Sequence, residues 1–175
     1  VACADYVLSK TPGNTVSNMS SSRALRDVTK AHGGSYEASA VGEVNVVELM
    51  KKNNAIIGGE GNGGIIYPEL HYGRDSLVGV ALFLTHLANK KMPVSALRAS
   101  YPEYYMSKNK IELTPQIDVD AILSQMTEKY KNEDISTIDG VKIDFASEWV
   151  HLRKSNTEPI IRIYTESPSQ EAADK

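Results

Sequence analysis

The chain has 175 residues, 41% hydrophobic and 23% charged, which suits one large or two small globular domains. Its 19 Lys and Arg are outnumbered by 22 Asp and Glu, for a net charge of -3. With no basic stripe in the sequence, this argues against a nucleic-acid partner, because phosphate-backbone binding needs a local excess of positive charge. The most apolar stretch, 77–87, is broken by Gly79, Thr85 and His86 and is shorter than the ~20 residues that span a bilayer, so no membrane segment is expected. Cys3 is the only cysteine, which allows no intrachain disulfide and fits a reducing cytoplasm.

Val1 to Leu8 opens directly on an apolar, helix-compatible pattern, with no initiator methionine, basic leader or capping residue. Ser169 to Lys175 similarly begins a helix-favouring run and stops. Both ends read as those of an excised fragment of a longer protein. After the turn Thr11-Pro12-Gly13-Asn14, residues 15–19 suit a strand, and Ser20, Ser21 and Ser22 offer N-caps for a helix through Lys30. His32 falls in that helix's last turn, where an imidazolium complements the dipole. A strand over 36–41, a helix over 44–52 with Val47 and Met50 inward, and a buried strand over 55–58 complete an alternation. Strand, helix, strand, helix, strand implies a three-layer α/β domain with a mainly parallel sheet. Leu77, Ala81, Leu84 and Ala88 recur at helical spacing over 74–90, with His86 expected at a surface or interface.

Proline ends that helix, and Arg98 to Tyr105, with Pro102 and Tyr101, Tyr104 and Tyr105, reads as a linker whose tyrosines pack an interdomain surface. The expected domains are therefore 1–97 and 98–175. In the second, 106–113 alternates as a strand and Asp118 caps a helix carrying Val119, Ile122, Leu123, Met126 and Tyr130 on one face. Asp139-Gly140 between alternating apolar residues predicts a two-residue hairpin turn, and 149–153 and 160–166 are further strands. The second domain is thus a small α+β unit with a mostly antiparallel sheet.

Two loops could carry chemistry. Gly58-Gly59-Glu60-Gly61-Asn62-Gly63-Gly64 places five glycines in seven residues between strand-like runs, where backbone must turn sharply or approach something closely. Its Gly59-x-Gly61-x-x-Gly64 spacing matches the dinucleotide fingerprint. However, that motif needs a following helix, whereas Ile65-Ile66-Tyr67-Pro68 is extended and Glu60 would repel a pyrophosphate. A carboxylate beside an amide suits uncharged hydroxyls instead, so Glu60 and Asn62 are the candidate polyol-reading residues. The second loop is Arg153-Lys154-Ser155-Asn156-Thr157-Glu158-Pro159, with Arg162 beyond it. A guanidinium, two hydroxyls, an amide and turn N–H groups on one strand connection are the parts of a phosphate site, a capped polar turn being the alternative.

Arg-Lys-Ser-Asn-Thr-Glu-Pro-x-x-Arg, with Gly-Gly-Glu-Gly-Asn-Gly and Gly73-Arg74-Asp75, closely resembles the phosphoglucomutase/phosphomannomutase family, the α-D-phosphohexomutases. The resemblance covers essentially the whole chain as the third and fourth of the family's four domains, the last TATA-binding-protein-like. It implies that Glu60 and Asn62 contact sugar hydroxyls, and that Arg153, Ser155, Asn156 and Thr157, with Arg162 in support, hold the substrate's phosphate. It implies a parent enzyme interconverting hexose 1-phosphate and hexose 6-phosphate through a phosphoserine and a glucose 1,6-bisphosphate-type intermediate, with magnesium. The phosphoserine loop and the Asp-x-Asp-x-Asp magnesium site are missing here and would lie on N-terminal domains, partners of this chain, so the 175 residues alone are expected to be inactive. Asn62-Gly63-Gly64 departs from the serine, glycine and histidine of many members, and Glu43 and Val44 stand where others often carry histidine, lysine or arginine; no proton-transfer residue is assigned. A non-catalytic sugar-phosphate-binding module using the same loops is the other reading.

Overall fold

The computed structural model describes residues 1–114, 117–155 and 157–175. They form two compact units, Val1–Glu103 and Tyr104–Lys175.

In the first unit α1 (Ala2–Lys10) precedes β1 (Asn14–Asn18), α2 (Ala24–Ala31), β2 (Tyr36–Ser39), α3 (Glu43–Lys52) and β3 (Ala55–Gly59). A hairpin, β4 (Ile65–Tyr67) and β5 (His71–Arg74), then leads to α4 (Ser76–Lys90) and α5 (Val94–Ala99). The sheet order is β2-β1-β3-β4-β5. β1 pairs in parallel with both β2 and β3, and the hairpin extends the sheet antiparallel from β3. Two apolar clusters serve the two faces of this sheet. Cys3, Ala4, Val7, Leu8, Val28 and Ile57 join α1 and α2 to it, and Val16, Val46, Met50, Ala55 and Ile66 join α3 to it. The three-layer α/β arrangement expected from the strand–helix alternation is therefore present, with Val46 fully buried beside Met50 and Val47 packed against them partly buried.

Three local expectations are corrected. Leu77 is 79% exposed and Leu84 55%, and Ala81 and Ala88 are exposed too, so the stripe chosen from helical spacing in α4 faces outward. The helix is apolar on all sides, and Leu82 and Phe83 pack the core instead, so periodicity alone could not select the inner face. His86 is buried at 2% exposure rather than on a surface. The segment Arg98 to Tyr105 read as a linker begins with the last turn of α5 and includes Tyr101, whose hydroxyl donates to Asp5 at 2.9 Å inside the first unit.

The second unit contains β6 (Tyr105–Glu112), α6 (Val119–Lys129), β7 (Asp134–Ser136), β8 (Val141–Asp144), β9 (Trp149–Lys154), β10 (Ile160–Ser167) and α7 (Gln170–Asp174). The sheet order is β6-β10-β9-β8-β7, and every pairing is antiparallel. Asp118 caps α6 as expected, accepting from the Ala121 N–H at 3.0 Å. The β7–β8 turn is longer than two residues, because Ser136 opposes Lys142. Gly140 sits in it at φ +76, with its backbone against Leu152 and Arg153, so a side chain would have no room there. Among the described residues no helix is long and apolar enough to cross a membrane.

Candidate functional site

In an open parallel sheet, ligands bind beyond the carboxyl ends of the strands where the chain's direction of travel reverses. In the order β2-β1-β3 that reversal lies between β1 and β3. Asn18 ends β1 and Glu60 follows β3 immediately, so the two side chains meet there: Asn18 Nδ2 donates to Glu60 Oε1 at 2.8 Å. The Gly42 N–H, at the start of α3, donates to the same oxygen at 3.2 Å. Glu60 Oε2 accepts from Asn62 Nδ2 at 3.5 Å and lies 3.5 Å from Arg74 Nη1. The Glu60 side chain is only 7% exposed, and Ser21 Oγ in turn fixes Asn18 by donating to its Oδ1 at 2.8 Å. A carboxylate ringed by donors from three strand ends is held in one orientation with little rotamer freedom left.

The glycine-rich loop is a closed turn. Glu60 N–H donates to Gly64 O, Gly63 N–H to Glu60 O, and Gly64 N–H to Asn62 Oδ1, at 3.2, 3.2 and 3.1 Å. Gly59 has φ +154, and a Cβ there would lie 2.1 Å from Gly64 O, so only glycine allows the closure. Asn62 therefore spends its carbonyl on the loop and leaves its amide beside Glu60. Next to this pair, Arg74 bridges a second carboxylate. Glu43 accepts from the Arg74 backbone N–H at 3.0 Å and from Nε at 2.7 Å, and these bonds hold its carboxyl below the usual range.

In the second unit, Arg153 near the end of β9 directly opposes Arg162 of β10. Each guanidinium has its own carboxylate: Arg153 Nη1 meets Asp139 at 2.9 Å and Arg162 Nη2 meets Glu158 at 2.7 Å. Asp139 is positioned from behind by His151, whose Nε2 lies 2.7 Å from its backbone carbonyl; burial pushes the His151 imidazole down, favouring the neutral ring that donates this bond. Between the arginines the loop opens with buried Ser155, whose N–H donates to Ile160 O at 2.9 Å. Ser155 Oγ accepts from the Thr157 N–H and lies 3.4 Å from Thr157 Oγ1. Arg153, Ser155, Thr157 and Arg162 are thus brought to one end of the β9–β10 pair, while Asn156 lies outside the described residues. Among the described residues no group of three His, Cys, Asp or Glu side chains is arranged to hold a metal ion.

Two family models cover nearly all of the chain. Residues 1–105 match "Phosphoglucomutase/phosphomannomutase, alpha/beta/alpha domain III", and residues 109–175 match the same family's C-terminal domain. The chain belongs to the phosphoglucomutase/phosphomannomutase family. It is 37% identical over 173 residues to a phosphoglucomutase/phosphomannomutase of Thermococcus kodakarensis, covering 97% of this chain and 38% of the relative. It is 35% identical over 161 residues to a phosphoglucosamine/phosphogalactosamine mutase of Sulfurisphaera tokodaii, covering 91% of this chain and 35% of the relative. A phosphoglucomutase/phosphomannomutase family protein of Burkholderia thailandensis shares the fold with a TM-score of 0.77 at 22% identity, over 98% of this chain and 37% of that one. The chain thus spans less than two fifths of the length of these proteins.

Against this phosphoglucomutase/phosphomannomutase background, the contributions missed from the sequence are those of Asn18, Gly42, Arg74 and Asp139. Arg74 stands in the quoted Gly73-Arg74-Asp75 motif without a role assigned to it, and the other three lie outside the two loops. Asn18 is the last residue of β1 and Gly42 follows β2 by three, and seeing that both lie at the same edge of the sheet requires the strand order. Asp139 reads in sequence as a turn former, and its role depends on the hairpin folding back to Arg153.

Proposed function

We propose that this chain is the substrate-binding part of a sugar phosphomutase that interconverts hexose 1-phosphate and hexose 6-phosphate through a phosphoserine and a bisphosphate intermediate. Phosphoglucomutase/phosphomannomutase or phosphoglucosamine mutase activity are the members of that class in view. Glu60 and Asn62 read the sugar hydroxyls; Arg153, Ser155, Asn156 and Thr157, supported by Arg162, hold the phosphate that is not being transferred. The observation that carries the reading is the Glu60 carboxylate, nearly buried yet with only donors around it, at the reversal point of the sheet. Such a fixed acceptor selects hydroxyl donors and disfavours anions.

The division of labour follows from phosphoryl-transfer chemistry, in which positioning and electrostatic stabilisation dominate. An anchored remote phosphate supplies binding energy that orients the reacting end. Magnesium supplies charge neutralisation at the transferring phosphate in phosphoryl transfer; among the described residues no group of three His, Cys, Asp or Glu is placed to hold it, and no role above depends on it. The 175 residues alone are accordingly predicted inactive, and turnover of glucose 1-phosphate by the purified chain would refute that. In the full-length protein, Arg153→Ala is expected to raise KM for hexose phosphate at least tenfold, since one anchor of a dianion is lost. An unchanged kcat/KM would remove the phosphate loop from the site.

A further inference from the structure

Across the second sheet, Arg153 of β9 faces Arg162 of β10, and Arg162 faces Lys110 of β6. Directly opposed residues on antiparallel strands point to the same face with their Cβ atoms about 5 Å apart, and like charges so placed destabilise a sheet. Three cations in one cross-strand row are therefore an arrangement that folding alone does not favour. Asp139 and Glu158 neutralise the two arginines at 2.9 and 2.7 Å. Lys110 is exposed, and among the described residues its ammonium makes no hydrogen bond or ion pair. The other charges that parity places on this face of β6 are Glu112, opposite Ile160, and Lys108, opposite Tyr164, with its ammonium 5.4 Å from that ring's centre. Farther along, Lys142 and Asp144 pair with each other at 3.3 Å. α7 packs against the opposite face, where Thr165 Oγ1 donates to the Ala173 carbonyl, so it does not cover the row.

We infer that Lys110 is a third cation of the anion site at this end of the sheet, supplying the charge that the two ion-paired arginines do not. The inference rests on the reading of the Ser155–Thr157 loop as a phosphate site. A phosphate monoester carries close to two negative charges at neutral pH, whereas each arginine arrives with its charge already matched. Without Lys110 the row offers geometry, through its guanidinium forks beside the Ser155 and Thr157 hydroxyls, but little net positive charge of its own. With Lys110 it offers both, and the row extends about two strand spacings, roughly 10 Å, outward from Arg153. The ligand class is a phosphate monoester, such as a hexose 6-phosphate, rather than a neutral sugar.

The test is titration of the 175-residue chain with inorganic phosphate and with glucose 6-phosphate, followed by calorimetry or amide chemical shifts, at 20 and 200 mM salt. Lys110→Ala is expected to weaken both ligands roughly three- to tenfold at low salt and to flatten the salt dependence; Lys110→Glu is expected to weaken them further. Lys108→Ala, one step farther from the loop, should change affinity less than twofold. If Lys110→Ala matches wild type, or only matches Lys108→Ala, the third-cation assignment falls while Arg153→Ala still reports on the phosphate site. If Arg153→Ala also leaves affinity unchanged, the phosphate loop itself is misassigned. Because Lys110 is exposed and directly opposes Arg162, its variants are expected to melt at or above the wild-type temperature, so that weaker binding does not reflect a lost fold.

Discussion

Glu60 shows how a single residue can be found in a sequence while its environment is not. A carboxylate inside a glycine cluster was visible, and so was the proline that ruled out a nucleotide loop. What holds the carboxylate was not visible: Asn18 lies 42 positions earlier in the chain and meets Glu60 because β1 and β3 are neighbours. Removing that amide leaves a carboxylate that is 7% exposed with one fewer donor. A hydrogen bond to a charged group contributes about 1.5–3 kcal/mol, and Asn18→Ala should destabilise the chain by about that much in urea unfolding. Stability equal to wild type would show that water replaces the amide freely. Glu60→Gln, by contrast, keeps the shape and changes an acceptor into a mixed donor and acceptor. In the full-length protein it should alter discrimination among glucose, mannose and glucosamine phosphates more than phosphate affinity, and equal losses for all three sugars and for inorganic phosphate would contradict the sugar-reading role.

At the scale of elements, α4 ties the glycine loop to the helical layer through one residue. Asp75 accepts from the N–H groups of Leu77 and Val78 at 2.8 and 3.0 Å, and its own N–H donates to Ile65 O at 2.8 Å, so the cap sits beside the end of the glycine turn. The Val78 N–H and the nearby His71 hold its carboxyl below the ordinary carboxylate range. Asp75→Ala should lower the denaturation midpoint and Asp75→Asn should lower it distinctly less; equal losses would mean that the cap is not what the aspartate contributes. The elements that could be read from sequence were those with a local cause: a cap, a turn residue, or alternation along a single strand. Asp118 announced α6, and β1, β3, β9 and β10 fell within a residue or two of their expected ranges. The β4–β5 hairpin stayed hidden because strands of three and four residues with Pro68 between them carry almost no period. The inner face of α4 stayed hidden because every face of it is apolar, and the row of Lys110, Arg162 and Arg153 exists only once the register is known.

For the molecule as a whole, the first unit is fastened by a cluster that no motif announces. Asp5 of α1 lies 2.7 Å from His32 Nε2 at the end of α2, 2.9 Å from the Tyr101 hydroxyl after α5, and 3.0 Å from His86 Nε2 of α4. One carboxylate therefore joins three helices and the segment that closes the unit. Burial alone would raise its pKa, but the hydrogen bonds from His32 and Tyr101, with the charges of His86 and Lys90, outweigh that and hold it below the ordinary value. A depressed carboxyl stabilises the fold above its unfolded pKa, near 4, and that stabilisation is lost as pH falls through the lower folded value, because the unfolded chain then binds the proton more readily. Tyr101 has the opposite sign. Burial, first, and then its bond to Asp5 raise its phenol, so its contribution is intact below about pH 10 and is lost as pH climbs above it. Stability of the first unit should therefore fall off at both ends of the pH range through the same cluster. Tyr101→Phe should erase the alkaline edge and also move the acid edge of Asp5 toward higher pH, since one of the donors lowering that carboxyl is gone. Urea midpoints measured from pH 2 to 11 for wild type, Tyr101→Phe and Asp5→Asn would decide it: edges that stay in place in Tyr101→Phe would show that the two groups titrate independently.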